Sequence, residues 1–367
     1  MGVADLAPYP WDALAPFAEQ ARSHPRGIVD LSVGSPVDET PALVREALAV
    51  ATDAHSYPAT IGTPALREAI AAWFARRRGV PGLDPEQVIP TIGSKELVAL
   101  LPLLLGVGAG DTVVFPRVAY PTYAIGAQLV DARPLASDDP DEWPAGTKLI
   151  WINSPGNPDG RVWDAAELAR AVARARELGA VIAGDECYAE LGWSAPWDTE
   201  PIPSLLDPRV TGGDPSGVLV AYSLSKQSNL AGYRAAFLAG DERLIALIGN
   251  ARKHFGLMMP APVQAAMVAA LSDDAHVEAQ KELYRQRRDV LLPAVRDAGF
   301  TVDRSEAGLY LWATEGRDAW ESIARLAQRG ILAGPGPFYG EGGARHVRLA
   351  LTASSERIAE AARRLGE

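Results

Sequence analysis

The sequence predicts an α/β protein: a mostly parallel central sheet with helices on both faces, followed by a smaller α+β domain. Three observations carry this. Short apolar runs bounded by turn residues recur at 112–115, 148–153, 180–184 and 218–223, and amphipathic helical windows such as 165–178 lie between them. Continuous apolar strands alternating with helices mark a parallel sheet covered on both sides. After about residue 280 the texture changes to a long polar helix, 282–298, and strand-like pieces at 300–302, 309–313 and 346–351.

Residues 41–51 and 64–79 read as amphipathic helices, the second with Pro64 in its first turn, where a missing N–H costs nothing. Gly93-Ser94-Lys95-Glu96 then opens an apolar helical run to about Leu105. The expected organisation is an N-terminal segment (1–40) that joins the small domain, a large domain (41–278) and a small C-terminal α+β domain (279–367). Neither a repeat nor a low-complexity linker interrupts it. Gly106-Val107-Gly108-Ala109-Gly110 follows a helix and precedes a strand, the reverse of a dinucleotide fingerprint, so it reads as a helix stop and turn.

A chain of 367 residues allows roughly two domains of ~150 residues, and 48% hydrophobic with 22% charged residues is ordinary for a globular protein. The net charge of -11 argues against nucleic acid as a partner. Arg76-Arg77-Arg78 sits where it complements a helix C-terminus. One cysteine, Cys187, cannot form an internal disulfide and suits a reducing compartment. The chain shows no signal-peptide pattern and no apolar run of ~20 residues, so it is expected in the cytoplasm and off the membrane. Five scattered histidines and one cysteine give no metal signature.

The chemistry concentrates at the C-terminal ends of the expected strands, where α/β sheets place ligands. One strand runs into Asn153-Ser154-Pro155-Gly156-Asn157-Pro158-Asp159-Gly160, and another into Asp185-Glu186-Cys187-Tyr188. A third runs into Ser223-Leu224-Ser225-Lys226, with Arg234 eight residues later. That last turn carries two hydroxyls, an amine and a guanidinium, a set able to hold a phosphate while a lysine forms an imine. Asn157 lies 28 residues before Asp185, and Tyr188 follows Asp185 by three.

Over Gly34 to Arg348 these motifs and spacings resemble the class I and II aminotransferases, the fold-type I enzymes that use pyridoxal 5′-phosphate. The resemblance implies that Lys226 carries the cofactor as an imine and shuttles a proton in a ping-pong reaction. It implies that Asp185 pairs with the pyridine nitrogen and that Asn157 and Tyr188 donate to the ring oxygen. Tyr120, in Ala119-Tyr120-Pro121-Thr122-Tyr123, matches the aromatic that stacks on the ring. Ser94, Lys95, Ser223 and Arg234 match the phosphate site, where a helix N-terminus favours an anion. Tyr57, in Ser56-Tyr57-Pro58, matches a tyrosine that reaches the neighbouring subunit's phosphate, which implies a homodimer with shared sites. Arg348 matches the arginine that forks onto the substrate α-carboxylate, and Gly34 a backbone amide beside it. Gly336-Pro337-Phe338 resembles the family's small-domain loop. The chain departs from the family at Asp159, where threonine is usual, and at Gln227 and Ser228, which are smaller and more polar than the common Thr-Phe.

Within the family, Tyr9-Pro10-Trp11-Asp12, the stretches 30–38 and 90–102, and 225–234 resemble the actinobacterial N-succinyldiaminopimelate aminotransferases of lysine and cell-wall biosynthesis. That implies glutamate and 2-oxoglutarate as one substrate pair, with Lys95, Arg252 and Lys253 as candidate partners for a second acidic group. An aspartate, kynurenine-type or L,L-diaminopimelate transaminase, a carbon–sulfur lyase and a non-catalytic regulator stand as alternatives.

Overall fold

The computed structural model describes Leu6 and residues 10–367; Tyr9 of the first quoted motif lies outside the described residues. Its centre is a seven-stranded sheet of β1 (Val88–Ile92), β2 (Thr112–Phe115), β3 (Arg133–Ala136), β4 (Thr147–Asn153), β5 (Val181–Asp185), β6 (Val218–Ser223) and β7 (Ala235–Gly240). The strand order is β1-β7-β6-β5-β4-β2-β3. The ladders from β3 across to β6 are parallel, whereas β7 runs antiparallel to both its neighbours. The apolar runs read from the sequence are β2, β4, β5 and β6, within one residue at each end. The sequence reading missed β1, β3 and β7. β7 is alanine- and glycine-rich (Ala-Ala-Phe-Leu-Ala-Gly) and β3 is short and largely exposed, so neither carries the β-branched signal of a buried strand.

Alternation along the strands packs apolar side chains on both faces of the sheet. Ile150, Ile152, Ile182, Val218, Val220 and Tyr222 face one side, covered by helices Pro64–Arg77, Ala165–Leu178 and Ala261–Leu271. Leu149, Trp151, Ala183, Leu219 and Ala221 face the other. There they meet α1 (Ser94–Leu104), α2 (Thr122–Gln128) and helix Glu242–Phe255. Helix Ala165–Leu178 begins where Asp164 and Glu167 form a capping box and ends at Gly179 in the left-handed conformation (φ 64°). Gly106 and Gly110 sit at φ 71° and 92° in the turn after α1, the helix stop read from the sequence.

The catalytic-looking turn is the four-residue helix α3 (Leu224–Gln227) directly after β6, capped by Ser223. Beyond it, α4 (Ala275–Asp297) is a single helix whose buried residues Val277, Gln280, Tyr284, Arg287, Leu291 and Val295 form one stripe. It starts seven residues earlier than the expected helix, because the three-and-four spacing of that stripe continues back to Val277. The expected border at 278–279 thus falls inside α4.

A second core gathers around β8 (Thr301–Asp303), β9 (Tyr310–Thr314), β10 (Gly334–Pro335) and β11 (His346–Ala350), in the order β10-β11-β9-β8 and antiparallel throughout. The N-terminal segment joins it: Val29–Asp30 pairs in parallel with Ile331–Leu332, and the Ala350 amide donates to Leu31 O. Tyr188 and Leu191 of the large sheet's loops pack into this second core. Among the described residues no helix is long and apolar enough to cross a membrane.

A buried ion pair ties the loop after β5 to helix Pro64–Arg77: Arg78 donates to Glu186 at 2.9 Å, and both side chains are nearly inaccessible. Glu186 also accepts from the Ser204 hydroxyl and the Leu205 amide. Glu186→Ala leaves the Arg78 charge buried and unpaired, which costs about 3–5 kcal/mol. The expected result is a large fall in the urea midpoint, with a smaller fall for Glu186→Gln; equal midpoints for Glu186→Ala and wild type would remove the pair from the fold's supports.

Candidate active site

The C-terminal ends of β4, β5 and β6 and the N-terminus of α1 face β9 and β11 across a cavity of about 500 Å3, within the range of small-molecule sites. It is lined by Ser94, Lys95, Tyr120, Asn157, Asp185, Tyr188, Ser223, Lys226, Arg234, Gly34 and Arg348, together with Trp11, Cys187, Ser225 and Tyr310. Eleven of the twelve residues singled out from the sequence thus come together. Tyr57 does not. It is 94% exposed, in a separate depression with Met258 and Pro260, so the role expected of it requires a second copy of the chain.

At one end, Asp185 is buried at the tip of β5. Its Oδ2 accepts from the Tyr123 hydroxyl at 2.7 Å and its Oδ1 from the Cys187 amide at 3.3 Å. Burial pushes the carboxyl up from its ordinary range, against the lowering effect of those hydrogen bonds. No cation pairs with it among the described residues. It is therefore a dry acceptor suited to a cationic N–H. Tyr123 was not marked as a site residue by the sequence reading, although it stands in the quoted Tyr120–Tyr123 stretch and one turn of α2 aims it at Asp185.

At the other end, Gly93 (φ 76°) precedes Ser94, so the first amides of α1 have no helical acceptor. A Cβ on Gly93 would collide with the Arg234 guanidinium, and the Gly93 amide donates to Arg234 O at 2.7 Å. Arg234 itself adopts φ 56°, unusual for a side chain with a Cβ. Ser223 Oγ donates to Ser225 Oγ at 2.8 Å and accepts from the Ser225 amide. Helix amides, two hydroxyls and a guanidinium converge there, an arrangement that binds anions.

Between the two ends lies Lys226, half-buried in the cavity wall, its Nζ donating to Gly34 O. Burial, with the Arg348 and Arg234 charges adding to it, pushes its ammonium below the ordinary lysine value. Gly34 is required there, because a Cβ would overlap the Tyr310 ring. The Tyr188 and Tyr310 hydroxyls are 3.1 Å apart. Burial pushes the Tyr188 phenol well up. It acts in the same sense on Tyr310, where the cations of Arg348 and Lys226 outweigh it and pull the phenol down. Tyr310, on β9, was absent from the sequence reading; nothing but the Arg348 guanidinium over its ring marks it.

Arg348 completes the cavity from β11. It is 3% exposed, donates from Nη1 to Asn157 Oδ1 at 2.9 Å and from Nη2 to Ser32 O at 2.7 Å, and leaves Nε without a partner. Its guanidinium carbon lies 3.9 Å from the Tyr310 ring centre and 5.0 Å from that of Tyr339. Every partner is neutral, and no carboxylate lies within ion-pairing distance among the described residues. A buried cation with no counter-ion, facing a cavity, is a binding site for an anion. Of the cations weighed for a second acidic group, Lys95 lines the cavity. Arg252 does not serve, because it is buried and bridged to Glu96 at 2.7 Å, and Lys253 is exposed and off the cavity.

Comparison with known proteins agrees with this chemistry. The family model described as "Aminotransferase class I and II" matches residues 26–365. The chain is 54% identical to the 4-dedimethylamino-4-oxo-anhydrotetracycline transaminase OxyQ of Streptomyces rimosus, over 98% of this chain and 99% of that one. It is also 54% identical to the probable aminotransferase Rv1178 of Mycobacterium tuberculosis, over 99% and 86%. Among solved structures it is similar to a probable N-succinyldiaminopimelate aminotransferase from Thermus thermophilus, at TM-score 0.86 and 30% identity, covering 97% of this chain and 99% of that one. The chain belongs to the class I and II aminotransferases, fold-type I enzymes that depend on pyridoxal 5′-phosphate.

Proposed function

We propose that this aminotransferase exchanges amino groups between α-amino acids and 2-oxo acids whose α-carboxylate is gripped by Arg348. We further propose N-succinyl-L,L-diaminopimelate, with glutamate and 2-oxoglutarate as the second pair, as its substrate in lysine and diaminopimelate biosynthesis. The observation that carries the first statement is the buried guanidinium of Arg348 in the cavity wall, whose partners are all neutral. The second is supported by the similarity to the Thermus structure.

The residues present fit pyridoxal phosphate. Asp185, held by Tyr123, offers the dry carboxylate that a protonated pyridine nitrogen needs. Ser94, Lys95, Ser223 and Arg234 form the anion cradle at the opposite end, completed across a homodimer by Tyr57 of a second copy. Tyr120, in the wall between them, would be the stacking ring, and Asn157 and Tyr188 would donate to the ring oxygen. When bound, the cofactor supplies an electron sink for charge developing at the substrate α-carbon. Lys226 would anchor it, and its Nζ, whose charged form burial disfavours, would take and return the proton at that carbon. Arg348 and the Gly34 amide fix the carboxylate, and thereby orient the Cα–H bond toward Nζ.

A second reading has its own support in the 54% identity to a transaminase named for a tetracycline intermediate, which would favour a bulky ring ketone as the acceptor. Initial rates on a panel separate the two. N-succinyl-L,L-diaminopimelate is expected to give the highest kcat/KM with 2-oxoglutarate; a preference for ring ketones, or no response to the succinylated compound, would reject the pathway assignment.

Two variants test the residue roles. Lys226→Ala is expected to lower kcat by at least about 10³-fold, and borohydride reduction of the holoenzyme should leave the phosphopyridoxyl mass on Lys226 alone. Label found on another lysine would sink the assignment. Arg348→Lys loses the planar fork and should raise KM for carboxylate substrates about 10–100-fold, equivalent to about 1.4–2.7 kcal/mol; an unchanged KM would place the carboxylate elsewhere.

A further inference from the structure

Gln227 and Ser228, the two residues after Lys226 that depart from the family pattern, lie in a hydrogen-bonded chain that the reaction as described does not use. Tyr222 donates its hydroxyl to Gln227 Oε1 at 2.6 Å, and Gln227 Nε2 donates to Ser228 Oγ at 3.2 Å. Ser228 Oγ lies 2.8 Å from His276 Nε2, and His276 Nδ1 lies 2.8 Å from Asp273 Oδ2. The Asp273 carboxylate also accepts the His276 amide at 2.9 Å. These bonds assign the proton order: Nδ1–H donates to Asp273, which leaves Nε2 to accept from the Ser228 hydroxyl. The order resembles a serine–histidine–aspartate relay, yet Ser228 is fully buried and cannot reach a substrate. It is not a nucleophile.

The remaining contacts explain the arrangement. His276 belongs to a polar stripe on α4 that continues through Gln280, Tyr284 and Arg287, spaced four, four and three residues apart on one helix face. Gln280 Oε1 accepts from Asn229 Nδ2 at 2.8 Å, and the Tyr284 hydroxyl reaches Lys226 O at 3.4 Å. Gln280 and Arg287 both hold Asp38, at 2.9 and 2.8 Å, four residues beyond the Gly34 carbonyl that receives Lys226 Nζ. One helix therefore grips both the turn that carries Lys226 and the strand-like segment that meets its tip. A four-residue helix has too few backbone hydrogen bonds to hold its own place, so its position is set from outside.

We propose that His276, backed by Asp273, is a positioning residue for Lys226, acting through the Ser228 hydroxyl to fix the α3 turn and so the approach of Nζ to the reacting carbon. This rests on the reading of Lys226 as the proton carrier, and not on which amino acid is the substrate. Small displacements of a reacting group cost up to about 10²-fold in rate.

The test uses holoenzyme with any amino donor that it turns over, and compares Ser228→Ala, His276→Ala, their double variant, Asp273→Ala and Asp273→Asn. Ser228→Ala and His276→Ala are each expected to lower kcat about 10–50-fold with KM within threefold. Both should also change the visible circular dichroism of the bound cofactor, which reads its orientation. The double variant should be no slower than the slower single one, because both cut the same path. Asp273→Asn, which keeps an oxygen for Nδ1–H, should recover most of the rate lost in Asp273→Ala. If His276→Ala does not fold, Ser228→Ala, which removes one hydroxyl, carries the same test. A Ser228→Ala enzyme with kcat within twofold and an unchanged dichroic band, beside an inactive Lys226→Ala, overturns this inference alone, even if its melting point falls. Normal turnover of Lys226→Ala overturns the role of Lys226 and this inference with it.

Discussion

The interaction on which the rest of the site depends is the contact between Arg348 and its neutral partners. A guanidinium taken out of water needs compensation, and here Asn157 Oδ1, Ser32 O and two aromatic faces supply part of it. Those partners come from four separate stretches: the loop after β4, the N-terminal segment, β9 of the small antiparallel sheet and the turn Gly336–Tyr339. Arg348 thus joins the second core to the large sheet at the point where the cavity opens. Its Nε has no partner, and the guanidinium borders the cavity without a counter-ion. On the proposed reading, assembly and recognition use the same charge.

The large sheet explains why so many polar groups reach that space. Parallel strands end at a common edge, so Asn157, Asp185 and Ser223 arrive together from β4, β5 and β6, and crossing helices bring Ser94 and Tyr123. The two ends of the cavity have opposite electrostatic character. Asp185 is a carboxylate in a dry setting, and the start of α1 with Arg234 is an anion cradle. Lys226 stands between them with its charge disfavoured by burial. On the far side, α4 links the turn under Lys226 to the segment bearing Gly34 and runs on into the second core, where Leu291 and Val295 pack. The lysine and the small sheet are in this way referenced to one rigid element.

Much of this was legible in the sequence. Strands β2, β4, β5 and β6 announced themselves as buried apolar runs, and the residues at their ends carried recognisable spacing. The edge strand β3 and the small-residue strand β7 did not, because their pairing is imposed by neighbours and not by their own side chains. Tyr310 and Tyr123 were missed for a related reason: each matters through a contact across the fold, with Arg348 or Asp185, that no local pattern encodes. The start of α4 was also read too late, since His276 and Gln280 look like surface polar residues until the turn they hold is seen. Arg252, a cation suitable by type, is excluded by its own burial and its ion pair with Glu96.

The most direct test of the central claim, that the buried charge of Arg348 selects an α-carboxylate, is a spectral half-reaction without any acceptor. Purified holoenzyme is mixed with glutamate or with 4-aminobutyrate, which keeps the distal acid but lacks the α-carboxylate. Conversion of the bound cofactor to its amino form is followed by absorbance. Glutamate is expected to convert it fully and at least about 10²-fold faster, a gap of about 2.7 kcal/mol. Equal rates with the two amines would contradict the reading of Arg348 and, with it, the carboxylate-centred account of this site.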